Sequence, residues 1–114
     1  MNRLLILSLL LPLLLSACAT DFRPPPGVHI PENLEEAYVE LDNMLTTEQK
    51  EALRTGETPV SETILNFGMQ LKEYWGLWRD SKMAKYMRRR DIDHPDHMIT
   101  IIFEGYVQYL REQE

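Results

Sequence analysis

With 114 residues, a formal net charge of −6 and one cysteine, the chain is long enough for a single small domain and has no second thiol for a disulfide or a Cys-based metal site. Its 18 acidic against 12 basic residues exclude a broad nucleic-acid surface and a basic face that would clamp the whole domain to anionic lipid. Whatever folds must be held by packing alone.

Met1-Asn2-Arg3 places one positive charge ahead of Leu4 to Leu15, an aliphatic run broken only by Ser8 and Pro12. A spanning helix needs ~20 apolar residues, so this run is too short to cross a bilayer and suits the apolar core of a signal peptide. Leu15-Ser16-Ala17-Cys18 comes next, and it resembles the bacterial lipobox, Leu-(Ala/Ser)-(Gly/Ala)-Cys. The resemblance implies signal cleavage between Ala17 and Cys18 and a diacylglyceryl group on the Cys18 thiol. The alternative is an ordinary secretory signal cut at the alanines that flank the cysteine. Each buried CH₂ contributes ~0.8 kcal/mol and one acyl chain anchors only marginally, so the two or three chains of a lipoprotein would hold the mature protein at its membrane. Ala19 stands where an aspartate would favour inner-membrane retention, which places the expected anchor in the outer membrane, facing the periplasm.

The expected organisation is a signal peptide at 1–17, a lipidated cysteine with a proline-rich linker at 18–31, and a helical domain at 32–114. Pro24, Pro25, Pro26 and Pro31 with Gly27 give the linker no helical or alternating pattern, and three consecutive prolines favour polyproline II at ~3.1 Å per residue.

From Asn33 on, the periodicity is helical throughout, which predicts an all-α bundle of four to five short helices. Asn33 with Glu36 three residues later reads as an N-cap, and Leu34, Ala37, Tyr38, Leu41, Met44 and Leu45 make one apolar stripe. Thr46 or Thr47 caps a second helix that carries Ala52 and Leu53 and ends at Gly56. Thr58-Pro59 reads as a cap followed by proline at the first helical position, and Val60, Ile64, Phe67, Leu71, Trp75 and Trp78 continue as a helical seam that predicts both tryptophans in the core. A break is expected between Gly76 and Asp80. Asp80-Ser81 then reads as a cap before a helix with Met83, Tyr86 and Met87 inward, and Asp93 or His94 caps a last helix from Pro95 to about Leu110. Met98, Ile101, Ile102, Phe103, Val107 and Leu110 leave that helix apolar around much of its circumference, the mark of a central element.

Three motifs carry a resemblance. Pro31, Leu34, Ala37, Leu41, Asp42 and Leu45 fit a Pro-x-x-Leu-x-x-Ala-x-x-x-Leu-Asp-x-x-Leu pattern. Gly68, Leu71, Trp75, Gly76, Leu77 and Trp78 are similar to a Gly-x-x-Ile-Arg-Asn-x-aromatic-Gly-Leu-Trp segment, and His94-Pro95-Asp96-His97-Met98 to a His-Pro-Asp-Asp-Met-Ser-like one. In these respects residues 31 to about 110 resemble an uncharacterised family of small bacterial helical domains. The resemblance implies a fold and no activity. The chain departs from the pattern at its polar positions, with Lys72-Glu73 for Arg-Asn, His97 for the second aspartate and Ile99 for serine.

The segment Asp91-Ile92-Asp93-His94-Pro95-Asp96-His97 gathers groups that could ligate a metal or exchange protons, and His94, Asp96 and His97 are the residues on which a small metal-dependent periplasmic hydrolase would rest. Capping of the last helix accounts for the same residues, and the cluster lacks the His-Glu-x-x-His spacing of a zinc-hydrolase helix. Tyr74, Trp75 and Trp78 could form a platform for peptidoglycan if exposed. Lys82, Lys85, Arg88, Arg89 and Arg90 form a basic stripe, read either as a solvated face paired with the acidic first helix or as a contact for lipid phosphates or an acidic partner. No phosphate-binding loop, nucleophile elbow or cofactor signature is visible, and no catalytic residue, metal or cofactor is assigned. The expectation is a non-catalytic interaction or accessory module of the cell envelope, bound to the membrane through Cys18 and to an envelope protein through the basic stripe.

Overall fold

The computed structural model describes residues 29–113; the signal segment, Ala17, Cys18 and most of the linker lie outside them. Pro31, which the sequence places at the end of the linker, is fully buried, so the packed body already includes it. All regular structure among the described residues is helical.

Helix α1, Leu34–Met44, starts where expected, with the Asn33 side chain accepting the Glu36 amide at 2.9 Å. The Glu36 carboxylate does not close a capping box on Asn33 but accepts from the Glu32 amide one residue earlier, at 3.1 Å, and from His29 at 2.9 Å. Those bonds hold its carboxyl below the ordinary range. Helix α2, Thr47–Thr55, has a full capping box between Thr46 and Gln49 and ends at Gly56.

The third rod is built differently from the expectation. Its first helical residue is Val60, and Pro59 itself holds the N-cap position in an extended conformation, with no side chain bonding the first turn. Thr58 is therefore not the cap. Three segments then run on without a break: α3, Val60–Thr63; a π-helical stretch, Ile64–Gly68; and α4, Met69–Tyr74. The wider π turn shifts the register of α4 relative to α3. Gly76, at φ 61°, closes the rod in the left-handed region that favours glycine. Trp78 consequently falls outside the helix, and the helical spacing that would carry it into the core does not apply. Trp75 is 1% exposed and Trp78 is 52% exposed, while Leu77 takes the buried place.

Helix α5, Lys82–Arg88, is capped by Ser81 and buries Met83, Ala84 and Met87, with Tyr86 half-buried. Helix α6, Pro95–Glu112, has Pro95 at its first position and His94 as its cap. It packs against every other helical segment, and Met98, Ile99, Ile102, Phe103 and Tyr106 are fully buried along it. Its central place is the one that its apolar circumference predicts.

Polar ties fix the rods around α6. The Asp42 carboxylate of α1 accepts the hydroxyls of Tyr106, at 2.7 Å, and Tyr109, at 3.1 Å. Burial first, and then the bond to the Asp42 carboxylate, raise the pKa of both phenols, so they stay protonated and donate. Lys50 of α2 donates to the Asp42 carbonyl and Arg111 of α6 to the Arg54 carbonyl at the end of α2. Gly105 makes room for the third tyrosine: a Cβ there would lie 2.0 Å from the Tyr38 hydroxyl oxygen, so any larger residue must expel that ring from its place beside α6.

The two tryptophans should therefore respond differently to truncation. Trp75→Ala is expected to lose about 3–5 kcal/mol of unfolding free energy and Trp78→Ala about 1 kcal/mol or less, read from urea denaturation followed by circular dichroism. Equal losses would return Trp78 to the core.

Candidate functional site

Two sequence segments that lie far apart in the chain meet at Trp78. The loop after α4 carries the tryptophan out to solvent, and the start of α6 approaches it from the other side. The His94 ring stands edge-on to the Trp78 ring, with centroids 5.9 Å apart and an interplanar angle of 72°. Lys72 of α4 lies across the Trp78 face, its Nζ 5.2 Å from the ring centroid, and forms an ion pair with Asp96 in the first turn of α6. The Lys72 side chain is only 13% exposed, against 64% for Asp96, so the ammonium is held between the indole and the carboxylate. That bond is the leading cause of the lowered pKa of Asp96.

The first turn of α6 explains the polar cluster. Nδ1 of His94 accepts the Asp96 amide at 3.1 Å, so the neutral imidazole carries its proton on Nε2 and the cap requires an unprotonated Nδ1. Asp96 supplies the negative charge expected at a helix start. His97 is exposed and makes no hydrogen bond to either. Among the described residues, no group of three or more His, Cys, Asp or Glu side chains is placed to hold a metal ion. His94 and Asp96 are thus brought together as a cap, with Lys72 and Trp78 as the partners that spacing alone does not reveal.

Around Trp78 the surface is an open cleft of about 320 Å³ lined by Met69, Lys72, Glu73, Gly76, Trp78 and Arg79. Met69 is 69% exposed, and Leu65 one turn earlier is 84% exposed. Tyr74 is also exposed, but it does not line this cleft, and Trp75 is buried. The three aromatic residues therefore do not make one platform; Trp78 alone faces the cleft.

Residues 30–110 match a family described as a domain of unknown function, DUF6794. The chain belongs to this family. No curated protein and no solved structure matches it. In this DUF6794 domain, the segment that ends in Gly76-Leu77-Trp78 and the one that begins at His94 meet at one surface, and the departures at Lys72 and Glu73 line it.

The basic stripe is a second surface of the same domain. Lys82 bonds the Glu32 carboxylate at 2.7 Å, just before α1, and Arg88 bonds Asp80 at 2.6 Å and the Arg79 carbonyl at 3.1 Å. Arg90 lies over the Tyr86 ring, 3.5 Å from its centroid. Lys85 and Arg89 are exposed and form no ion pair among the described residues. Pairing with the acidic side of α1 thus reaches Lys82 only. A third feature, which no motif announces, is an open cleft of about 550 Å³ between α1 and α6, where Tyr38, Val39, Gly105 and Tyr109 meet the carboxylates of Glu35 and Glu112. Its lining comes from two stretches, Glu35 to Val39 and Gly105 to Glu112, that no sequence pattern pairs.

Acid should release the Lys72 clamp. Because the carboxyl of folded Asp96 is held below its ordinary range of ~4, its contribution is complete above that range and is lost as the pH falls through the lowered value. In a Trp75→Phe/His94→Asn background, which keeps a capping side chain and removes the imidazole at the edge of the indole, Trp78 emission is expected to stay constant from neutral pH down to about 4 and to change only below it. The change should be absent in Asp96→Asn; an identical acid transition in that variant would show that the clamp does not govern Trp78.

Proposed function

We propose that this protein is a lipoprotein of the bacterial envelope, acylated on Cys18 and held at the outer membrane facing the periplasm, whose helical domain binds an envelope protein without catalysing a reaction. The anchor rests on the apolar run that ends in Leu15-Ser16-Ala17-Cys18, and the membrane on Ala19 after the cysteine. No helix among the described residues is long and apolar enough to cross a membrane.

The observation that carries the binding role is Trp78, half exposed beside Met69 and gripped by Lys72. Tryptophan and methionine are enriched where protein interfaces bury their centres, and a tryptophan fixed by a cation on its face and a histidine at its edge presents its remaining surface preorganised. The polar groups around it support the same reading, since His94 and Asp96 are engaged in holding the start of α6 and the Lys72 ammonium.

A second reading is favoured by the same exposure. An indole open to solvent beside Lys72, Glu73 and Arg79 also suits the face of a cell-wall sugar and its peptide charges. One experiment separates the two. A photocrosslinking amino acid at position 78 of the full chain, activated in intact cells of the host, should yield a discrete protein adduct; a muropeptide adduct would support the cell-wall reading instead, and no adduct from the membrane fraction would contradict both. Cys18→Ser is expected to remove the protein from the acylated membrane fraction, and an unchanged mature mass in that variant would contradict the anchor.

A further inference from the structure

The basic helix has a direction. Half of the chain's 12 basic residues fall between Arg79 and Arg90, in a protein whose net charge is −6. Met83, Ala84 and Met87 set the buried side of α5. At 100° per residue, Lys82, Lys85 and Arg89 come at the opposite side, within one narrow stripe that points straight away from the core. Arg88 lies on the flank and is held by Asp80, and Arg90 closes over Tyr86 on the other flank. The outermost line of α5 therefore consists of cations, two of which, Lys85 and Arg89, have no carboxylate partner among the described residues.

The position of this stripe matters as much as its charge. The bond from Lys82 to Glu32 sets α5 beside the first residues of the packed body, the point at which the chain leaves for Cys18. Thirteen residues lie between Cys18 and Glu32, so full extension carries that point no more than ~50 Å from an acyl anchor. Tethering at this range gives α5 a high effective concentration at the phosphate surface, where each basic residue contributes ~1 kcal/mol. An acidic protein would have to find the stripe by diffusion. The bilayer is already there. Tyr86, half-buried next to the stripe under the Arg90 guanidinium, has the apolar ring and polar tip that suit the level of headgroups.

We infer that the outer line of α5, formed by Lys82, Lys85 and Arg89, docks on anionic phospholipid headgroups of the bilayer that carries the Cys18 anchor, orienting the domain so that Trp78 remains free for its partner. The inference rests on the acylation proposed above and adds to it a lipid class and an orientation. It agrees with the overall acidity, because only one edge of the domain touches the surface, and where that edge borders Glu32 and Glu36 the Lys82 ammonium offsets their charge.

The test uses the full chain reconstituted in vesicles of phosphatidylglycerol or of phosphatidylcholine, with trypsin cleavage after Arg90 measured by mass spectrometry. Cleavage is expected to be about tenfold slower on phosphatidylglycerol, with the difference removed by high salt and by Lys85→Gln/Arg89→Gln, whose helical circular dichroism should match the parent. Equal rates on the two lipids would overturn the inference. So would protection seen only in native envelopes, because that result assigns the stripe to an acidic protein. The intact mass of the same material reports acylation separately: an unmodified Cys18 with lipid-selective protection intact would sustain the docking face and remove the anchor.

Discussion

The domain depends on the burial of α6. With no disulfide and about 80 residues to fold, the described residues include one long apolar helix around which the other rods are placed, and they meet one another mainly through it. Met98, Ile99, Ile102, Phe103 and Tyr106 supply the large buried surfaces, and Leu41, Leu71, Trp75, Met83 and Met87 fill against them from the surrounding rods. The same arrangement determines what the surface can present. The first turn of α6 brings His94 and Asp96 to Trp78 and Lys72, and its middle turns give the tyrosines that hold α1 through Asp42.

Charge is distributed unevenly over this frame. Helices α1 and α6 carry Glu35, Glu40, Glu104 and Glu112, whereas α5 carries its cations on the sides away from its buried Met83, Ala84 and Met87. Under the proposed anchor at Cys18, such a division is enough to select an orientation at an anionic surface without a high total affinity. Trp78 belongs to neither edge. Its indole is fixed by local contacts, so a partner that meets it finds a surface already ordered.

Local chemistry is readable from the sequence and long-range geometry is not. Asn33, Thr46, Gly56, Ser81 and His94 act where a cap or a stop is expected, because each depends on groups two to four residues away. The core role of α6 is readable because its apolar residues cover most of its circumference. Spacing misplaces Trp78 because a helical period extends past Gly76, and neither a π turn nor a left-handed glycine leaves a mark in apolar spacing. It misplaces Thr58 because threonine before proline fits a cap even where Pro59 holds that position. The Lys72–Asp96 clamp spans 24 residues and the bonds from Asp42 to Tyr106 and Tyr109 span 64 and 67, separations at which one sequence holds no pairing information. At the candidate site, the two polar segments are therefore visible individually and their meeting at Trp78 is not.

Amide hydrogen exchange along the full chain tests the central claim most directly, because a hub opens only when the whole domain does. The amides of Ile99, Ile102, Phe103 and Tyr106 should exchange last, as one group, and at the rate of global unfolding. If α6 exchanged ahead of α2 or α5, the body would be organised around some other element, and the arrangement of both surfaces would need a different cause.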